Sequence, residues 1–184
     1  MSKTHVWGSR LLQPNEFEMN MNSEREPMTE KPLTIGVISD THGLLRPEAV
    51  EALRGCDRIL HAGDVGGFEI LEALGKLAPV TAIRGNIDTS SWARALPATE
   101  VVEVAGISIY MLHDLRQLDL KPEAAGLHVV VYGHSHQPRI EEKNVVLYFN
   151  PGSAGPRRFH LPVSVGRLTI DAGKVRAELV ELKT

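Results

Sequence analysis

At 184 residues the chain is long enough for one domain with a substantial buried core. Its 42% hydrophobic and 23% charged residues exclude wholesale disorder, and a net charge of -3 excludes the basic excess of a dedicated nucleic-acid binder. One cysteine rules out an intrachain disulfide, and no apolar run reaches the ~18 residues of a membrane span or forms a secretory signal, so no membrane association and a cytoplasmic location are expected.

Residues 1–32 are polar, with scattered Asn, Glu, Ser and Pro and no sustained period. They read as a flexible N-terminal extension before a domain over 33–184, with Met28 as an alternative start of translation. Trp7, Leu11, Leu12 and Phe17 within it either pack on the domain or cover a partner surface. From Leu33 the texture changes. LTIGVISD is a β-branched apolar run and predicts a buried strand. RPEAVEALRGC spaces Ala49, Val50 and Leu53 on one helical face, with Gly55 as the stop and Cys56 as a small buried filler. DRILHAGD is a second strand, FEILEALGKLA a second helix with Phe68, Leu71, Leu74 and Leu77 on one side, and PVTAIRGN a third strand. This β-α-β-α-β rhythm calls for parallel strands joined by helical crossovers.

TEVVEVAGISIYMLH predicts a hairpin turning near Ala105-Gly106, and HVVVYGHSH a strand running into a polar turn. RIEEKNVVLYFNPGS and VSVGRLTIDAGKVRAELVEL predict further hairpins, turning near Lys143-Asn144 and Ala172-Gly173. The expected fold class is α/β: a four-layer α-β-β-α sandwich of two mixed sheets with flanking helices.

Residues able to bind metals close five of these strands. They are Asp40 and His42, then Asp64, then Asn86 with Asp88 close behind, then His113, and finally His134 and His136. Open α/β sheets gather their sites at the carboxyl ends of strands, so the five ends are expected to meet in one crevice. Two divalent cations roughly 3.5–4 Å apart could there clamp a phosphate and generate hydroxide at neutral pH. Cations that close need an anionic ligand between them, and Asp64 is the natural bridge. Imidazole, carboxylate and amide donors together suit manganese first, with nickel, iron or zinc as alternatives. Gly63, Gly85 and Gly133 are expected to let the backbone turn sharply and bring Asp64, Asn86 and His134 inward. Each element alone is weak evidence. Their order, each closing a strand, is strong.

The order D-x-H, G-D, G-N-x-D, H, G-H-x-H resembles that of the calcineurin-like metallophosphoesterase superfamily. NPGS followed by PR, Asn150 to Ser153 and then Pro156-Arg157, is similar to its small bacterial and archaeal phosphodiesterase branch, which also includes the retromer scaffold subunit. The resemblance runs from about Leu33 to the C-terminus. It implies one metal held by Asp40, His42, Asp64 and His136, and a second held by Asp64, Asn86, His113 and His134. It also implies in-line attack at phosphorus by a metal-bridging hydroxide, without a covalent enzyme intermediate. Asp64, Asn86, His113 and Asp88 are accordingly the catalytic candidates, and Asn86 and Arg157 the substrate-binding ones.

Two positions depart from that pattern. Many superfamily members read G-N-H, where the histidine serves the leaving oxygen; here Ile87 has no proton to give, so good leaving groups are expected to be preferred. After His113 the chain has Asp114-Leu115, where Asp114 either caps the next segment or replaces a base or proton donor. His61 is expected to be packed, with its side chain turned from the crevice, and His128 to lie on the surface. Arg84, Arg139, Arg158 and His160 are weaker phosphate-binding candidates than Arg157.

The expected function is a binuclear metal-dependent phosphodiesterase acting on a phosphodiester or nucleotide-like small molecule. The alternatives are a non-catalytic metal-binding interaction scaffold, or a phosphomonoesterase on nucleotides or phosphoproteins. An apolar sheet edge leaves homo-oligomer formation open.

Overall fold

The computed structural model describes residues 31–184; Met28, Trp7, Leu11, Leu12 and Phe17 lie outside the described residues. The first half runs β1 (Leu33–Ile38), α1 (Pro47–Leu53), β2 (Arg58–His61), α2 (Phe68–Gly75) and β3 (Val80–Ala82). A 3-10 turn at Ser91–Ala95 leads to β4 (Thr99–Val104) and β5 (Ile107–Leu112), and a second at Leu115–Gln117 precedes β6 (Val129–Val131). β7 (Arg139–Lys143), β8 (Val146–Asn150), β9 (Ser164–Asp171) and β10 (Lys174–Glu181) complete the chain.

The strands form two mixed five-stranded sheets, ordered β10-β9-β1-β2-β3 and β4-β5-β6-β8-β7. β1, β2 and β3 are parallel, as the βα rhythm requires, while β9 and β10 return antiparallel along the other edge of β1. In the second sheet β5, β6 and β8 are parallel, flanked by antiparallel β4 and β7. The sheets pack face to face through Ile35, Val37 and Leu60 on one side and Ile109, Met111, Val131 and Phe149 on the other, all fully buried. Burying side chains of this size stabilises the fold by about 1.5–3 kcal/mol each. The opposite face of β1 and β2 carries Ile38 and Ile59 against Ala49, Leu53 and Leu74 of the helices. Pro47 opens α1, where its missing N–H costs nothing.

Phe68 departs from expectation: it is 51% exposed, and the buried positions of α2 are Ile70 and Leu74. An every-third-residue pattern slips by about 60° per step around a helix of 3.6 residues per turn, so four such residues cannot share a face. α2 also ends at Gly75, before Leu77. Over the second sheet, the outer layer is the 3-10 turn at Leu115–Gln117 and the chain that follows. Leu115, Leu118, Leu120 and Leu127 there cover Tyr110, Leu112, Val130 and Tyr132.

Hairpin turns fall at Ala105-Gly106, Asn144-Val145 and Ala172-Gly173, each with positive φ at both residues. The middle one lies one residue beyond the expected Lys143-Asn144 turn. Among the described residues, no helix is long and apolar enough to cross a membrane.

Candidate metal centre

Because β1 and β2 are adjacent and parallel, their carboxyl ends deliver Asp40, His42 and Asp64 side by side. The loops beyond them continue as an irregular ladder. Asp40 N–H donates to Gly63 O at 3.0 Å, His42 N–H to Asp64 O at 3.0 Å, and Gly43 N–H to Val65 O at 2.9 Å. Gly133 N–H to His113 O at 3.0 Å extends the β5–β6 pairing in the second sheet in the same way, and His134 N–H to Asp40 Oδ2 at 3.1 Å ties that sheet to the first.

Both carboxylates have one oxygen held by the protein and one left facing imidazoles. Asp40 Oδ2 accepts from Ser39 Oγ at 2.7 Å, whereas its buried Oδ1 has no hydrogen bond among the described residues, although His136 Nε2 is 3.2 Å and His42 Nε2 3.8 Å away. Asp64 Oδ1 accepts from Ile87 N–H at 3.0 Å, and Oδ2 faces His113 Nε2 at 3.3 Å and His42 Nε2 at 3.7 Å. The His42 and His136 rings stack with centroids 5.2 Å apart, and His134 Nδ1 lies 3.1 Å from Asn86 Oδ1. His113 Nδ1 donates to Ala62 O at 2.7 Å, which fixes the ring and turns Nε2 toward Asp64. That Nε2 is buried without a hydrogen bond among the described residues.

Buried donor atoms that face one another without hydrogen bonds are costly unless a cation completes them. Asp40, His42 and His136 bring their ligand atoms within 4.8 Å of one another, as do Asp40, Asp64 and His113. The residues therefore fit divalent metal.

Electrostatics follow the same geometry. Burial pushes His42 below the ordinary histidine value, against the pull of Asp64 and Asp40. Burial alone would raise Asp64 and lower His113. Their mutual attraction, with the bonds from Ile87 and to Ala62, instead brings Asp64 down and His113 up. The backbone is strained where it aims these side chains. Asp40, His42, Asp64, His134 and His136 all have φ between 47° and 65°. For non-glycine residues this left-handed conformation is uncommon, and it persists where the surrounding structure over-determines it.

A family model described as the calcineurin-like phosphoesterase superfamily domain matches residues 33–173. The chain belongs to the calcineurin-like phosphoesterase superfamily. It is 38% identical over 160 residues to a probable metallophosphoesterase of Methanothermobacter thermautotrophicus, covering 80% of this chain and 92% of that protein. A phosphodiesterase of Methanocaldococcus jannaschii is 29% identical over 138 residues, 65% of this chain and 83% of that one. Among solved structures, vacuolar protein sorting 29 from Cryptosporidium parvum superposes with a TM-score of 0.67 at 20% identity, covering 84% of this chain and all of that one, and shares the fold.

Within this calcineurin-like domain the remaining candidates take distinct places. Asp88 is buried and accepts backbone N–H from Val65 at 3.0 Å, Gly66 at 2.9 Å and Gly85 at 2.8 Å, tying the Asp64 loop to the Asn86 loop. Asp114 caps the Leu115–Gln117 turn by accepting from Arg116 N–H, and Arg116 holds its carboxyl below the usual range. Arg157 donates to Thr184 Oγ1 at 3.1 Å on the surface, while the charge of Arg158 reaches His42. His61 is fully buried with Nε2 2.9 Å from Thr41 Oγ1, and His128 is exposed.

Gly63 turns as expected, with φ of 92°. Gly85 and Gly133 serve close approach instead. A Cβ on Gly85 would overlap Asp64 Oδ1, and one on Gly133 would sit 2.7 Å from Asp40 Oδ2. Sequence reasoning missed the buttresses. Asn150 donates to Gly133 O at 2.9 Å and Ser153 Oγ to Asp40 O at 3.0 Å, so the NPGS motif holds the ligand loops in place. A polar motif directly after an apolar strand was the available signal.

Proposed function

We propose that this calcineurin-like phosphoesterase is a binuclear, metal-dependent phosphodiesterase acting on a phosphodiester or nucleotide-like small molecule in the cytoplasm. The observation that carries the reading is Asp64 Oδ2, approached by His113 at 3.3 Å and by His42 at 3.7 Å while Oδ1 is held by Ile87 N–H. A carboxylate so placed can serve two cations at once. Asp40, His42, Asp64 and His136 would hold one ion, and Asp64, Asn86, His113 and His134 the other. The mixed imidazole and oxygen donors favour manganese, then nickel, iron or zinc. When bound, the two ions supply an activated water and neutralise charge at phosphorus.

The protein's own contribution is positioning. Ala62 O fixes the His113 ring, and the three amides on Asp88 keep the Asp64 and Asn86 loops in register, so Asp88 acts through its neighbours. Asn86 is exposed in the wall of a cavity that also includes His113 and His134, and it presents its amide to substrate there. Arg157, whose Nη2 donates to Thr184 Oγ1, is the second substrate-binding candidate. Ile87 offers no proton, so nitrophenyl esters should be hydrolysed roughly 10²–10⁴-fold faster than alkyl esters, beyond their intrinsic difference. Equal enzymatic acceleration of both would contradict this.

The test is hydrolysis of bis-(nitrophenyl) phosphate by metal-free protein with manganese, nickel, zinc or magnesium added back and Asp64→Ala as control. Activity restored by a transition metal and lost in the variant is expected. Faster turnover of nitrophenyl phosphate than of the diester would favour the phosphomonoesterase. Ions bound without turnover would favour the scaffold.

A further inference from the structure

Two cavities flank the metal centre. One, of about 430 Å³, is walled by Arg84, Asn86, Thr99 and Tyr110. The other, of about 450 Å³, is walled by Tyr132, Ser135, Gln137 and Arg139. They share Asp114 and His134, which form the ridge between them.

Arg116 lines the second cavity and is bonded to both residues of that ridge. Its Nε donates to Asp114 Oδ1 at 3.0 Å and Oδ2 at 3.1 Å, and its Nη2 donates to Asp114 Oδ2 at 2.8 Å. Nη2 also lies 2.8 Å from His134 Nε2, on the side of that ring away from the Nδ1 that faces Asn86. The same Asp114 carboxylate accepts Arg116 N–H at 3.0 Å, so one residue caps the 3-10 turn and orients the side chain projecting from it. An exposed arginine ordinarily loses much rotamer freedom when it binds a ligand; here the planar fork is already held. Asp114 and His134 occupy the Nε and Nη2 edge. Nη1 has no partner among the described residues and keeps its hydrogens free for an oxyanion.

We propose, resting on the phosphodiesterase reading, that Arg116 is the substrate-orienting residue of this centre. Its Nη1 edge engages an oxygen of the phosphoryl group of a diester whose two ester arms lie in the two cavities. A monoester has one arm and needs one cavity; two cavities meeting at a single metal-binding histidine suit a phosphorus with two. A guanidinium held beside the phosphoryl oxygens stabilises the negative charge there but gives the leaving oxygen no proton, so the preference for good leaving groups expected from Ile87 stands.

The experiment uses the full-length, manganese-loaded protein with Arg116→Ala and Arg116→Lys. Calorimetry gives the affinity for inorganic phosphate and, separately, for manganese; kcat and KM are read on bis-(nitrophenyl) phosphate. Arg116→Ala is expected to weaken phosphate binding and to lower diester kcat/KM, each by roughly 10- to 100-fold, with manganese affinity unchanged. Arg116→Lys, which keeps the charge and loses the fork, should recover part of both. Unchanged phosphate affinity in Arg116→Ala would overturn the proposal, as would a loss that merely follows weakened manganese binding. If the wild type binds phosphate but hydrolyses no diester, the phosphodiesterase reading fails, while the phosphate affinities of the variants still decide the role of Arg116.

Discussion

At the end of the sandwich away from the metal centre, Ala105, Asn144, Val145 and Ala172 hold φ between 47° and 64° to close three hairpins. At the other end, Asp40, His42, Asp64, His134 and His136 hold nearly the same φ, between 47° and 65°. The backbone problem is one and the same, but the surroundings differ. Among the described residues, a Cβ on Gly106 or Gly173 in the hairpins would meet nothing within 4 Å, whereas one on Gly85 or Gly133 would strike the carboxylates of the centre. A left-handed residue in a turn only reverses the chain. In the centre it aims a ligand, and crowding from every side keeps it aimed.

The sharpest way to break this contrast is Gly85→Ala. The added carbon must displace Asp64, whose other oxygen faces two imidazoles. Misplacing a reacting group by about 1 Å can cost on the order of 100-fold in rate, so phosphoesterase activity should fall at least that far while the circular dichroism spectrum stays native. Activity near wild type would show that the crowding is dispensable. A smaller effect is expected of Asp88→Asn, which removes the charge and turns an NH2 donor toward at least one of the three backbone N–H groups. Metal affinity should drop roughly 10- to 100-fold with the pH profile of turnover unshifted. A lost limb in that profile would instead make Asp88 a participant in proton transfer.

What was legible in the sequence was whatever is local. β1, β2, β3, β5 and β6 appear as apolar runs, and the candidate ligands follow their carboxyl ends, so the crevice could be expected from the sequence. The Ala172-Gly173 turn is marked by its own residues. Relations between distant segments were not legible. G-N-x-D shows an aspartate after Asn86, but its bonds to Val65 and Gly66 cross 22 or more positions and arise only once β2 and β3 pair. The apolar neighbours of His61 foretell burial and not its partner Thr41, 20 positions away. Phe68 was misjudged because residues at every third position look aligned on paper and drift around a real helix.

His61 supplies a stability test behind the ligands. Burial lowers its pKa to about 4, from about 6.5 in the unfolded chain. Thr41 Oγ1 donates to Val65 O, so His61 Nε2–H must be the donor to Thr41, and the ring is neutral in the folded protein. Between pH 6.5 and 4 the unfolded state binds a proton that the folded state refuses. This contribution is therefore fully present above about pH 6.5 and lost as pH falls toward 4, reaching about 3 kcal/mol. Urea unfolding of metal-free wild type and His61→Gln should show the difference in stability narrowing or reversing over that window. A constant difference would mean that the folded protein takes up the His61 proton as readily as the unfolded chain.

The smallest effect belongs to the open end. Gly173→Ala places a methyl group in empty space at φ of 74°, so its cost is the left-handed conformation alone, about 1 kcal/mol. Gly173→Asn should be milder still, because asparagine tolerates that conformation. Thermal unfolding is expected to shift by a few degrees for the alanine variant and less for the asparagine, with phosphoesterase activity and metal content unaltered in both. If Gly173→Ala lowered activity as much as Gly85→Ala, the two ends would be mechanically coupled through the sheets. Strain at the metal centre would then belong to the whole sandwich and not to the packing around Asp64.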